Sequence, residues 1–184
     1  MKRIIFGLIL ILSITTTNAG NVIFGSGYGQ EKINDTLTVD LYQVQALYRF
    51  NSGIMVGGMI QHGNPKNNAV PNEAREEVIV GYGTRAYNFL PYAFISIGER
   101  DRDSVSEYNY HTLRIGSKYA INDHFYLDAS YRFRDTDKAD WKTDTYFAGI
   151  GYNINTATSV QFQYGKTNGS FNSDSYGVFL VNRF

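Results

Sequence analysis

The sequence predicts an all-β protein in which about ten antiparallel strands close into a transmembrane β-barrel, with eight or twelve strands as the alternatives. Three observations support this class. The 184 residues form a succession of short strand patterns, apolar and polar side chains alternate within them, and tight links alternate with longer polar ones. No apolar run beyond residue 19 approaches the roughly 20 residues of a membrane helix. Strands that cross lipid must close into a ring, because lipid cannot pair free backbone amides.

The amino terminus predicts a signal peptide over residues 1–19, followed by the barrel over residues 20–184. Lys2 and Arg3 precede an apolar stretch over residues 4–14, and small residues lead up to Ala19, where we expect cleavage. A buried amino-terminal helix is the alternative. Export indicates a bacterial envelope protein, and the absence of cysteine excludes a lipid-anchored lipoprotein. Removal of residues 1–19 leaves 15 basic against 17 acidic side chains.

Ten strands follow from the period-two alternation and from the turn-forming residues between them. They are predicted at Val22–Gln30, Leu37–Phe50, Ile54–His62, Glu77–Tyr87, Tyr92–Glu99, Tyr108–Ala120, His124–Arg134, Thr143–Ile154, Ser159–Lys166 and Ser175–Phe184. Four tight links, at residues 51–53, 88–91, 121–123 and 155–158, alternate with five longer links, at residues 31–36, 63–76, 100–107, 135–142 and 167–174. Such alternation is typical of outer-membrane barrels, and it places both termini at the end with the short turns.

The alternation within single strands predicts a lipid-facing outer surface. In Phe125–Arg134, one face carries Phe, Leu, Ala, Tyr and Phe, and the other carries Tyr, Asp, Ser, Arg and Arg. In Tyr146–Ile154, aromatic residues flank Ala148 and Ile150 on the same face, as aromatic girdles flank an apolar band. A soluble lipocalin-like barrel with the apolar face inward is the alternative.

The carboxy terminus carries a resemblance to a known class of proteins. Tyr176, Val178, Leu180 and the terminal Phe184 share one face of the last strand, and this pattern resembles the final strand of bacterial outer-membrane β-barrel proteins. The aromatic residue usual two positions before the end is Asn182 here. The resemblance implies a place in the bacterial outer membrane, contact with its lipid and lipopolysaccharide, and recognition of Phe184 by the barrel-assembly machinery.

Shorter phrases resemble two subfamilies. The segments at residues 27–30, 46–50 and 119–123 resemble small surface barrels of the opacity and adhesion type, which generally have eight strands. The Tyr-Arg-Phe endings at residues 48–50 and 131–133 resemble the oligogalacturonate-specific porins, which have twelve. The phrases do not choose between these subfamilies.

Pointing the apolar faces at lipid leaves a basic set of side chains facing inward. It comprises Arg49, Arg85, Arg114, Lys118, Arg132, Arg134 and Arg183, opposed by Glu77 and Asp128. Rings of Arg or Lys make anion-preferring pores, so we predict a passive, narrow, porin-like pore for small hydrophilic, anionic solutes, lined by these residues. The same groups could instead be paired in a filled interior, since barrels of about eight strands are filled by their side chains. The functional alternative is a non-conducting surface barrel that binds partners or host surfaces through its loops.

Other function classes find no support in the sequence. The three histidines lie far apart in the predicted topology, and no segment resembles a Ser-His-acid arrangement, so we predict no catalytic residues and no enzyme activity. We expect no cofactor, and the loop carboxylates lack the glycine and distal glutamate of a calcium loop, so no metal site is predicted. Without a basic cluster, nucleic acid is not an expected partner.

Overall fold

A computed structural model of the chain describes residues 20–67, 70–102, 108–137 and 141–184. The predicted signal peptide at residues 1–19 and its cleavage lie outside these residues. Ten strands form the barrel: β1 (Gly20–Ile33), β2 (Leu37–Phe50), β3 (Ile54–Pro65), β4 (Glu73–Gly83), β5 (Phe89–Arg102), β6 (Tyr108–Ala120), β7 (Phe125–Thr136), β8 (Lys142–Asn153), β9 (Thr158–Gly169) and β10 (Ser173–Arg183). Within the described part of the chain, no helix is long and apolar enough to cross a membrane.

The sheet closes on itself, which confirms the predicted antiparallel barrel of ten strands. Each strand pairs with its neighbours in sequence, and β1 pairs with β10. At this closure the backbone N–H of Val22 donates to the carbonyl of Phe184 at 2.9 Å, and the N–H of Phe184 donates to the carbonyl of Val22 at 2.8 Å. The first and last strands therefore leave no open sheet edge, as lipid requires.

Most strands extend further toward the longer links than the sequence pattern predicts. β1 continues to Ile33, and β4 begins at Glu73 rather than Glu77 and ends at Gly83 rather than Tyr87. β5, β9 and β10 also include residues that were predicted to lie in links. At 11–14 residues, all ten strands exceed or match the length needed to cross a bilayer at a tilt.

The predicted strict alternation of long and short links is wrong in its lengths. The β1–β2 and β9–β10 links contain three residues each, as few as the link between β2 and β3. Asn34 and Asp35 both have positive φ, 47° and 58°, which lets the first hairpin turn tightly. The end of the barrel that holds Ile33, Pro65 and Glu73 is called the loop end below. The opposite end, which holds Gly20 and Phe184, is called the terminus end.

The outer surface carries an apolar band between aromatic side chains. Ile95, Ile97 and Val178 are among its residues, with half or more of each side chain exposed. Tyrosines pair near the loop end, with 5.3 Å between the ring centroids of Tyr131 and Tyr146. At the terminus end, 4.9 Å separates the rings of Phe89 and Tyr119. A closed barrel with such a surface is stable when lipid covers the band, which agrees with the predicted lipid-facing surface.

Candidate functional site in the barrel interior

One cavity of about 370 Å³ runs along the inside of the barrel. Its lining begins at Asn21 and Arg183 near the terminus end and extends to Glu31 and Thr167 near the loop end. Among the side chains that the structure describes, eight cationic and four anionic ones face the interior. They are Arg49, Arg75, Arg100, Arg114, Lys118, Arg132, Arg134 and Arg183 against Glu31, Glu73, Glu77 and Asp128.

Nine of the ten strands carry a buried inward side chain within two residues of their end near the longer links. We call this set the loop-end tier, and it consists of Glu31, Val39, Glu73, Arg100, Tyr108, Arg134, Thr143, Thr167 and Ser173. β3 contributes Gly63, which has no side chain to add. The side chains therefore fill the barrel at this level, as expected of a narrow barrel.

Glu31, Glu73 and Arg100 of the loop-end tier form a charged cluster with the adjacent Arg75. The Glu73 carboxylate accepts a hydrogen bond from Arg75 at 2.7 Å and another from Arg100. Arg75 also lies 3.8 Å from the Glu31 carboxylate, which accepts a 2.6 Å hydrogen bond from the Ser173 hydroxyl. Because all these groups are buried, their opposite charges compensate one another at low dielectric.

A third buried carboxylate, Glu77, lies one level below. It accepts hydrogen bonds from Tyr110 and Ser96, each at 2.9 Å, and pairs with Arg134 at 3.2 Å. The Arg134 guanidinium also lies 4.5 Å from the centre of the Tyr110 ring. Arg134 is therefore neutralised and packed, which suits a structural role.

Arg114 and Arg132 differ from these paired arginines. They are directly opposite each other on β6 and β7, and both lie against the ring of Phe147, at 4.7 and 5.0 Å from its centre. Arg114 donates to the Ser130 hydroxyl at 3.1 Å, and Arg132 donates to Thr145 at 3.1 Å. Neither forms an ion pair with a described carboxylate. Two like charges thus face each other at the cavity wall.

Asp128 is the charged centre of the terminus half. It accepts hydrogen bonds from the Tyr92 hydroxyl at 2.7 Å and from the Gln161 amide at 2.9 Å, and it lies 3.6 Å from the Lys118 ammonium. Lys118 also lies 4.8 Å from the centre of the Tyr126 ring. Lys118 is therefore a paired cation, whereas no carboxylate of the described residues pairs with Arg49 or Arg183.

The structure brings most of the predicted pore-lining residues to one cavity. Its lining includes seven of the nine: Arg49, Glu77, Arg114, Lys118, Asp128, Arg132 and Arg183. Arg134 is inward but lies within the packed pairs. The inward position predicted for Arg85 is corrected: β4 ends before it, and Arg85 is an exposed residue of the following turn, where it donates to the Tyr87 carbonyl at 3.3 Å. That these residues line a conducting path stays a prediction.

The sequence pattern missed two groups of inward residues. The first group is Glu31, Glu73, Arg75 and Arg100, which were assigned to polar links, although Glu73 and Arg75 continue the alternation of β4. Apolar inward residues were missed because apolar faces were assigned to lipid. These are chiefly Ile23, Leu47, Met55, Ile79, Phe94 and Phe179.

Inward glycines provide room for aromatic rings along the wall. A Cβ atom on Gly81 would overlap the Phe94 ring, and one on Gly151 would overlap the Tyr126 ring. These two glycines are thus covered by rings from the neighbouring strands. Each ring packs against the glycine of the adjacent strand, because the glycine has no side chain to occupy that space.

The described residues offer no group of three or more His, Asp or Glu side chains that could hold a metal ion. His62 and His111 lie on outward positions of β3 and β6, and His124 lies in the turn before β7. The predicted absence of a metal or cofactor stays a prediction.

The closed barrel, its apolar outer band and the charged side chains of its interior define a small outer-membrane β-barrel. No family model matches the sequence, and no curated protein matches it. Solved structures do match the fold. The barrel domain of the Bordetella autotransporter BrkA aligns with a TM-score of 0.55 and 12% identity, over 90% of this chain and 99% of that chain.

Two transport proteins share the fold. An outer-membrane channel from Pseudomonas putida F1 aligns with a TM-score of 0.53 and 8% identity, over 91% of this chain and 96% of that chain. The KdgM porin, solved in complex with oligogalacturonate, aligns with a TM-score of 0.51 and 13% identity, over 87% and 99%. The chain spans 62% and 64% of the length of two OmpT structures from Vibrio cholerae. These identities establish the outer-membrane barrel fold alone.

Proposed function

We propose that this barrel is a narrow passive pore for small hydrophilic solutes and that it prefers anions. The observation that carries the proposal is the excess of interior cations over interior carboxylates, eight against four among the described residues. Arg49, Arg114, Arg132 and Arg183 line the cavity without pairing to a described carboxylate. Fixed guanidinium groups attract anions and repel cations in a confined space of low dielectric.

The proposal assigns no enzyme activity to the chain. Porins and channels that share the fold support this assignment. The interior carboxylates are engaged by arginine, lysine or hydroxyl groups, and the histidines lie outside the cavity lining. A hydrolytic site would need a nucleophile and a base within hydrogen-bond reach of each other.

A non-conducting surface barrel is the second candidate, and the buried loop-end tier favours it. Tightly paired charges at one level would stop ions unless the pairs rearrange. In that case the barrel would present its loops to partners, as the sequence alternative proposes. The outer surface would still contact lipid and lipopolysaccharide in either case.

Planar-bilayer recording of the purified barrel tests the pore. We expect a small current whose reversal potential in a salt gradient indicates anion preference. The Arg114→Gln, Arg132→Gln double variant should shift the reversal potential toward cations, because two of the four uncompensated interior charges are removed. Arg85→Gln is the matched control, since it removes an exposed charge outside the lumen. The absence of current in both polarities would reject the pore in favour of the second candidate.

A further inference from the structure

The cavity has an apolar wall that a water-filled pore does not require. Six side chains form it, on β1 to β5 and on β10: Ile23, Leu47, Met55, Ile79, Phe94 and Phe179. Water-filled barrels have polar interiors, because apolar surface in contact with water is unfavourable. An apolar wall inside a membrane barrel therefore indicates a ligand that has apolar surface of its own.

The opposite wall carries two arginines that pair with no described carboxylate. Arg114 and Arg132 are cross-strand partners, and like charges in that position destabilise a sheet. Both guanidinium groups lie against the same Phe147 ring, at 4.7 and 5.0 Å from its centre. The buried Nε of Arg132 has no hydrogen-bond partner among the described residues. An oxyanion placed between the two groups would remove the repulsion and accept charge-assisted hydrogen bonds from both.

We propose that the lumen binds a small anionic amphiphile. Arg114 and Arg132 hold its carboxylate or similar oxyanion head, and the apolar wall covers its carbon chain. The cavity volume of about 370 Å³ lies in the range of roughly 300–1,000 Å³ that is usual for small-molecule sites. The ligand enters from the terminus end, where Asn21 and Arg183 line the cavity, because the loop-end tier is filled. This goes beyond the proposed pore, since binding needs no conduction.

Titration calorimetry with three probes tests the two parts of the site. The barrel is used in nanodiscs of zwitterionic lipid, with empty nanodiscs as the blank, and is titrated with hexanoate, acetate and hexan-1-ol. Hexanoate should bind at least about tenfold more tightly than acetate, because its additional methylene groups are removed from water. It should also bind at least about tenfold more tightly than hexan-1-ol, which lacks the charge. Equal binding of acetate and hexanoate would overturn the amphiphile inference and leave a simple anion site.

Variants assign the two parts to their residues. Arg114→Gln with Arg132→Gln should weaken hexanoate binding about tenfold or more, whereas the control Arg85→Gln should bind like the wild type. Ile79→Thr should weaken binding of hexanoate but not of acetate. Far-ultraviolet circular dichroism and heat-modifiable gel mobility confirm that each variant is folded. Unchanged hexanoate binding by the folded double variant would overturn the inference. Anion-selective current without hexanoate binding would reject this site and keep the pore, and binding without current would do the opposite.

Discussion

The Glu73 carboxylate links two buried arginines, and its loss should be costly to the barrel. Glu73, Arg75 and Arg100 are each only 4–5% exposed, and the carboxylate accepts hydrogen bonds from both guanidinium groups. Glu73→Gln keeps the shape but removes the charge. Arg75 then retains the Glu31 carboxylate at 3.8 Å, whereas Arg100 retains no carboxylate among the described residues.

The expected loss of unfolding free energy is about 3 kcal/mol. Breaking a buried ion pair from one side costs about 3–5 kcal/mol, because a charge is left in a low-dielectric site. The lower end of this range applies here, because the glutamine carbonyl can still accept a hydrogen bond. Glu76→Gln is the matched control. It makes the same chemical change at an outward position of β4, and we expect it to alter stability by less than about 1 kcal/mol.

Urea-induced unfolding of the refolded barrel in lipid vesicles measures both variants. A third variant, which combines Glu73→Gln with Arg100→Met, should recover most of the loss, because the uncompensated charge is then absent. If Glu73→Gln costs no more than Glu76→Gln, the loop-end tier does not hold these charges in a buried pair. If Glu73→Gln is destabilising and the combined variant is worse still, the cost does not come from an unpaired guanidinium.

Three further outcomes are expected. Gly151→Ala should lower the free energy of unfolding by about 1–3 kcal/mol, because the added Cβ atom overlaps the Tyr126 ring. The control Gly25→Ala should cost less, because its Cβ atom meets only the flexible Gln45 side chain. Equal losses in the two variants would contradict this account. A cysteine introduced at Asp137, at the loop end, should be labelled on intact cells. A cysteine at Ser52, at the terminus end, should not be labelled. The reverse pattern would show that the barrel has the opposite orientation in the membrane. Phe184→Ala should reduce the amount of assembled barrel in cells. It should change the free energy of unfolding of the refolded barrel by under about 0.5 kcal/mol, because the Phe184 side chain is 74% exposed. A loss of stability as large as the loss of assembly would make Phe184 a stability residue instead of an assembly signal.

The fold could be predicted because each strand carries its own signal. The alternation in β7 assigns Leu127 and Phe133 to one face without knowledge of any neighbour, and the structure places both on the outer surface. The ends of β4 could not be found in this way. Glu73 and Arg75 are polar residues next to a polar link. They resemble the link in composition, which conceals the period-two alternation that places them in β4.

The pairing inside the barrel could not be predicted, because it depends on the register of strands that are distant in sequence. Glu77 on β4 meets Arg134 on β7, 57 residues later. Glu31 on β1 accepts from Ser173 on β10, 142 residues later. Closure and stagger of the sheet decide which inward residues share a level. The sequence therefore indicates that the interior is basic, but it cannot separate neutralised arginines from free ones.

This separation gives the interior two kinds of cation with different roles. Arg75, Arg100 and Arg134 are compensated by carboxylates near the loop end, so their charges contribute little to the field in the cavity. Arg114 and Arg132 lie nearer the middle of the barrel, and no described carboxylate pairs with them. Because the four interior carboxylates are engaged elsewhere, the positive field is concentrated at Arg114 and Arg132 and at the terminus end, where Arg49 and Arg183 line the cavity. Whether solutes pass through or stop at this level, they first meet these guanidinium groups, so the double glutamine variant should alter both conduction and binding.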